Sequence, residues 1–263
     1  MTLSLQVVDA FTDHPFAGNP AAVAVVDGAG GDGWPTDSWM QSIALEMNLS
    51  ETAFIRRRAD GDFDLRWFTP TSEVDLCGHA TLATSHVVGG GRFHTRSGVL
   101  TCRRGSDGTI EMDFPADPPH QVDPPAPLAA LPATGWFRGR FDLLLELPDA
   151  GQVRSFSPDL DAIASLDCRG LIVTAAGDSP GVDCVSRVFC PAVGVPEDPV
   201  TGSAHCTLAC HWSDRLGRTR LAGYQASARG GHVGMELLGD RVVLSGRAVT
   251  VSEVRLLATP SPA

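Results

Sequence analysis

Short apolar stretches, punctuated by glycine, proline and aspartate, dominate the chain and predict strands at 3–8, 21–26, 52–57, 64–69, 98–103, 109–114, 170–175, 183–190, 232–238, 241–245 and 249–256. Helical spacing of apolar residues is rarer and predicts helices at 38–47, 80–88, 160–165 and 204–216, the last with Leu208, Trp212 and Leu216 on one side. Many strands and few helices point to an α+β protein.

Residues 115–127 read PADPPHQVDPPAP, where repeated X-Pro steps exclude helix and favour an extended connection. This places an N-terminal domain at 1–118, a proline-rich linker at 119–127 and a C-terminal domain at 128–263. The two halves share a faint pattern. Arg66-Trp-Phe-Thr-Pro70 precedes Glu73, Asp75, Gly78-His79 and Thr81-Leu-Ala83, while Arg187-Val-Phe-Cys-Pro191 precedes Glu197-Asp198, Gly202-Ser203 and Thr207-Leu-Ala209. The shared order of strand, proline, acidic turn, glycine and apolar helix predicts two similar domains facing each other.

Composition removes several function classes. The 263 residues, 43% hydrophobic, suffice for one large or two smaller cores. All 20 basic side chains counted as lysine plus arginine are arginine, which excludes a Schiff-base lysine, and no P-loop or strand-following GxGxxG is present. A formal charge of -11 and no basic run longer than Arg56-Arg57-Arg58 argue against nucleic acid or an anionic membrane as partner. No segment has the apolar length of a membrane span, the N-terminus lacks a signal-peptide pattern, and seven scattered cysteines do not form a disulfide framework, so the expected setting is the cytoplasm.

Several places could carry chemistry. In CGHATLATSHVV (77–88) and again at 202–216, a helix begins at a glycine, Gly78 or Gly202, leaving backbone N–H groups and the positive end of the helix dipole for an anion. Two such termini facing one interdomain cleft would hold a small acid; equally, the glycines permit tight turns. His79 lies in the first turn and His86 two turns deeper, in a structural position. Asp198 precedes a proline and is presented from a rigid turn, whereas its neighbour Glu197 must point elsewhere; a turn-capping aspartate and a capping Ser203 are the plainer alternatives. In MNLSETAFI (47–55), Glu51 is the ionisable group of an apolar strand start, a setting that helps a carboxyl shuttle a proton near neutrality. His205, Cys206, Cys210 and His211 have zinc-ligand chemistry, but only Cys206 and Cys210 share a helix face.

Together DAFTDHPFAGNPAAV (9–23), MNLSETAFI (47–55), FTPTSEVDLCGHATLA (68–83) and PEDPVTGSAHCTLA (196–209) resemble the PhzF-like phenazine-biosynthesis isomerases, within the diaminopimelate-epimerase-like fold. The resemblance implies two similar barrel-like domains, each a mixed, mostly antiparallel sheet wrapped around a central helix. It also implies a homodimer, no cofactor, no metal, and proton transfer on a small acidic metabolite bound between the domains. By motif, Glu51 resembles the proton shuttle, His79 and Asp198 its catalytic partners, and Gly78, Gly202 and Ser203 the substrate-binding residues. The two-cysteine epimerases of this fold place one thiol in each domain. Here Cys77 has no counterpart in Asp198-Pro-Val-Thr-Gly202, which disfavours that mechanism.

Overall fold

A computed structural model describes residues 3–27 and 33–257. The chain separates into two compact units, Met1–Asp113 joined by Ser245–Ala263, and Phe114–Leu244. This division corrects the expected boundaries: the last segment of the chain belongs to the first unit, and the proline-rich stretch belongs to the second.

The first unit runs β1 (Leu3–Ala10), β2 (Asn19–Val25), α1 (Asp37–Met47), β3 (Glu51–Arg57), β4 (Phe63–Phe68), β5 (Glu73–Val74), α2 (Gly78–Val88), β6 (Gly91–Thr95), β7 (Gly98–Arg104) and β8 (Ile110–Pro115). Strand β2 pairs with β1 antiparallel and with β3 in parallel, Ala21 opposite Glu51. Helix α1 makes that parallel crossover. The Thr36 hydroxyl accepts the Trp39 N–H at its start, and Asn48, left-handed at φ 48°, ends it and turns the chain into β3. Met40, Ile43 and Ala44 of α1 pack with Phe54 and Phe68 on one side of the sheet.

Helix α2 has a different character. Every residue from His79 to Ser85 is buried, so the helix is enclosed rather than laid on a surface. It packs against β1, β2, β3 and β7. The hydroxyls of Thr81 and Thr84 are satisfied inside this apolar setting by the carbonyls of Cys77 and Ala80, four residues back.

The second unit runs β9 (His120–Gln121), β10 (Gly135–Arg138), β11 (Asp142–Glu146), α3 (Ala150–Ser155), α4 (Leu160–Ala164), β12 (Gly170–Ala176), β13 (Cys184–Cys190), β14 (Val195–Asp198), α5 (Gly202–Leu216), β15 (Arg220–Gln225), β16 (Gly231–Leu238) and β17 (Arg241–Gly246). Helices α3 and α4 cover β12 and β13, as α1 covers its sheet, while α5 is buried along most of its length and packs on β15 and β16. Strand β9 pairs with β10, and Val122 N–H donates to Trp136 O, which docks the proline-rich stretch as a sheet edge. Strand β18 (Ala248–Leu256) then pairs antiparallel with β1 in the first unit.

The internal repeat is physical as well as textual. Arg66 Nε and Nη2 donate to Glu73 at 2.7 and 2.6 Å; Arg187 Nε and Nη2 donate to Glu197 at 2.7 and 2.9 Å. Each guanidinium also lies over a phenylalanine two residues on, Phe68 at 5.2 Å and Phe189 at 4.9 Å. The same bidentate clamp therefore anchors the acidic turn before the central helix in both units. The fold is α+β, of the diaminopimelate-epimerase-like class.

The expected strands and helices are all present, with ends shifted by one or two residues. Unforeseen were β5, β6, β9, β10, β11, β14, β15 and α3. Most are short, and β11 is an apolar DLLLE run buried on both faces, which has no alternation to read.

Candidate active site

In the first unit the parallel register of β2 and β3 brings their N-terminal residues, Asn19 and Glu51, to one end of the sheet, where α2 begins. His79, in the first turn of α2, is 5% exposed and lies against both. Its Nδ1 is 3.2 Å from Asn19 Nδ2 and 3.6 Å from Cys77 Sγ, and its Nε2 is 3.1 Å from Glu51 Oε2. That last approach is oblique for a hydrogen bond, yet neither atom has another hydrogen-bond partner and both are buried. Catalytic hydrogen bonds of ligand-free enzymes often have this loose geometry. The Glu51 side chain as a whole keeps 18% exposure, so the carboxylate is held at one oxygen while the group still reaches the surface.

Burial dominates the electrostatics. It pushes the Cys77 thiol up to about 11, with the neighbouring Glu51 charge acting in the same direction, so the sulfur carries its proton at neutral pH. For His79, burial opposes charge, but the adjacent Cys77 sulfur and Glu51 carboxylate, by electrostatics and hydrogen bonding, outweigh it and raise the imidazole above its ordinary value. Glu51, Cys77 and His79 are also a possible metal donor set, their ligand atoms lying within 4.8 Å of one another. The imidazole turns one nitrogen toward each of the other two.

The loop leading into Asn19 is strained and firmly held. Phe11 and Phe16 take left-handed φ values of 63° and 68°, rare for aromatic residues. Buried Asp9 accepts the Phe16 N–H at 2.6 Å, and Thr12 N–H donates to Arg247 O. Phe16 itself stands 74% exposed.

In the second unit β14 ends at Asp198, and the Thr201 hydroxyl donates to Asp198 Oδ2 at 2.6 Å. Gln225, fully buried at the end of β15, clamps this turn from below: its Oε1 accepts Thr201 N–H and its Nε2 donates to Asp198 O. Ser227 Oγ donates to Pro199 O. Helix α5 opens at Gly202 and Ser203 with no side chain capping its N-terminus, and α2 opens at Gly78 in the same way. Glu197 is taken up by Arg187 and so points elsewhere, as expected. Sequence reading overlooked Asn19 and Gln225, although Asn19 stood inside a motif it singled out.

The four candidate zinc residues do not converge. His205 Nδ1 faces Thr201 O at 2.8 Å, while His211 Nε2 lies 2.9 Å from Glu146. His86 Nε2 is 3.2 Å from Thr250 Oγ1, a structural role.

His205 yields a pH prediction. Burial lowers its pKa to about 4, so the folded protein keeps it neutral. An unfolded chain takes up this proton below about pH 6.5, so stability is unaffected above that value and falls as the pH drops from 6.5 to 4, by up to about 3 kcal/mol. Thermal unfolding across this range should show the loss. His205→Asn, whose amide can keep the Thr201 bond, should flatten it.

Residues 8–254 match the PhzC-PhzF family, described as phenazine biosynthesis-like protein. The chain belongs to that family. An uncharacterized isomerase of Halalkalibacterium halodurans is 45% identical, the match covering 98% of this chain and 99% of the relative. The crystal structure of a PhzF-family phenazine biosynthesis protein of Enterococcus faecalis is 40% identical, with a TM-score of 0.91 over 98% of this chain and 100% of that one. A hydroxyproline epimerase from Agrobacterium vitis, 10% identical with a TM-score of 0.60 over 97% of this chain and 92% of that one, shares the fold alone. The PhzF-like chain is thus an enzyme of the isomerase class. Among its described residues no helix is long and apolar enough to cross a membrane.

Proposed function

We propose that this PhzF-like isomerase moves a proton within a small carboxylate-bearing substrate, without cofactor or metal, using Glu51 as the shuttle. The observation that supports it best is the Glu51–His79 pair: a carboxylate held at one buried oxygen, 3.1 Å from an imidazole nitrogen, with the rest of the group reaching the surface. In this reading Glu51 takes a proton from a carbon conjugated with the substrate carboxylate, exchanges it with water through its partly exposed side chain, and delivers a proton at another carbon. The electron pair left behind is delocalised meanwhile, so bonds and electrons balance with no other reactant. The substrate carboxylate engages the α5 N-terminus at Gly202 and Ser203, with Gly78 serving in the same way at α2 and Asp198 orienting the ring or chain. The reading takes the substrate to span both units, and the enzyme to work as a cytoplasmic homodimer on a metabolite rather than on nucleic acid or membrane. The seven cysteines are all free, in keeping with a reducing compartment.

A capture experiment tests this. Wild-type protein mixed with a metabolite extract should retain two isomers of one acid, and Glu51→Gln only the substrate isomer. Identical retained acids, or none, would count against the reading. Cys77→Ser should keep exchange activity within about tenfold of wild type, because a thiol that holds its proton at neutral pH is neither base nor acid here. Kinetics of the folded variant check this.

The donor set of Glu51, Cys77 and His79 favours a second reading, a metal-dependent hydrolase. Stoichiometric metal in the purified protein, with activity lost to a chelator, would establish it.

A further inference from the structure

A threonine immediately before a helix ordinarily turns its hydroxyl oxygen onto that helix's first backbone N–H groups. Thr201 precedes α5 with the extended backbone of such a cap, φ -112° and ψ 104°, yet its side chain makes no capping bond. The hydroxyl is spent on a carboxylate instead, donating to Asp198 Oδ2 at 2.6 Å.

Gln225 fixes the direction of that bond from behind. Its amide has one orientation, because two of its partners are backbone groups. The Thr201 N–H only donates and lies 2.9 Å from Oε1, while the Asp198 carbonyl only accepts and lies 2.6 Å from Nε2. Nε2 also reaches Thr201 Oγ1 at 3.3 Å, and a nitrogen that donates there leaves the hydroxyl's single proton for Asp198. Gln225 is fully buried and Thr201 is 8% exposed, so both are shielded from competing water.

We infer that Thr201 is a positioning residue for the reaction: its hydroxyl holds the Asp198 carboxylate in one orientation, with Gln225 behind it as the group that aims the hydroxyl. Asp198 is only half-buried and ends β14 before a proline, where the backbone is restricted but the side chain keeps its own rotations. Thr201 supplies the restraint that the turn does not. The first unit uses the same position in the same way. Cys77, the residue ahead of Gly78, likewise makes no cap on α2, and its Sγ lies 3.6 Å from His79 Nδ1. In each unit the side chain before the helical glycine serves the neighbouring site residue rather than its own helix.

The inference rests on Asp198 as an orienting group, but one arm of its test needs no substrate. Crystal structures of wild type, Thr201→Val and Thr201→Ser are compared. Valine keeps the shape and extended backbone of Thr201 and loses only the hydroxyl. Because that hydroxyl does not cap α5, thermal unfolding should change little. The Asp198 carboxylate should hold one orientation in wild type and Thr201→Ser and turn or spread in Thr201→Val, with the backbone of 198–202 in place. Gln225→Met should spread it too, through a misdirected hydroxyl. In solution, exchange of solvent deuterium into the acid that wild type retains should fall about 10–100-fold in Thr201→Val and largely recover in Thr201→Ser. Added to Asp198→Asn, Thr201→Val should cost nothing further, since both remove the same oriented group. An Asp198 carboxylate unmoved in Thr201→Val would overturn the inference, as would losses that add in the double variant. Thr201→Ala gives the same comparison if the valine variant does not fold. A wild type that retains no acid, with Asp198 released in Thr201→Val, would sink the functional reading and leave the placement of Asp198 by Thr201 standing.

Discussion

Glu51→Gln should reduce proton exchange between solvent and ligand by about 10²–10⁴-fold or more while leaving affinity near wild type. The amide is almost isosteric and can still meet His79 Nε2 through its oxygen, so the 3.1 Å contact and the start of β3 survive. Only the capacity to take and return a proton is removed. Asp198→Asn and His79→Ala should lose less if they orient the substrate and Glu51. Single-turnover exchange for the three variants, with affinity read by calorimetry, separates the roles. Exchange at the wild-type rate in Glu51→Gln would move the shuttle to Asp198.

The largest effect on stability is expected at Gly18, not in the hydrophobic core. A Cβ there would lie 2.1 Å from the Ala10 carbonyl oxygen and 2.9 Å from a Thr12 methyl, at a φ of +63°. The carbonyl belongs to β1, hydrogen-bonded on both sides, and cannot move aside cheaply. Left-handed backbone costs a residue with a Cβ about 1–2 kcal/mol and overpacking about 1–3 kcal/mol more. Gly18→Ala should therefore destabilise the protein by about 2–5 kcal/mol, lowering the thermal midpoint by roughly 10 °C. It should also loosen Asn19 and with it the His79 ring. Calorimetry that finds the variant as stable as the wild type would show that this loop yields more readily than its strained residues suggest.

The sequence revealed most of the fold through local signals. Asn48 ends α1, the apolar run after Gly78 forms the enclosed helix, and the order of arginine, proline and acidic residue marks the duplicated clamp. Glu51 and His79 were legible as candidates because each stands in a motif, and the structure gathers them with Cys77, which the sequence reading had set aside. Asn19 and Gln225 were not, because neither has a local task. Asn19 meets a histidine 60 residues away, and Gln225 clamps a turn 24 residues before it, so both roles depend on strand register. The return of β18 to the first unit was hidden for a related reason: alternation identifies a strand but not its partner.

In the proposed reaction one carboxylate, that of Glu51, moves a proton between two positions of a bound acid. This step is tested most directly by turnover of the captured acid in deuterated water, using protein stripped of metal. One solvent deuteron is expected at the position that gains hydrogen in the product, and none in product formed under the same conditions by Glu51→Gln. Product formed without solvent deuterium, or formed only after a metal ion is restored, would contradict it.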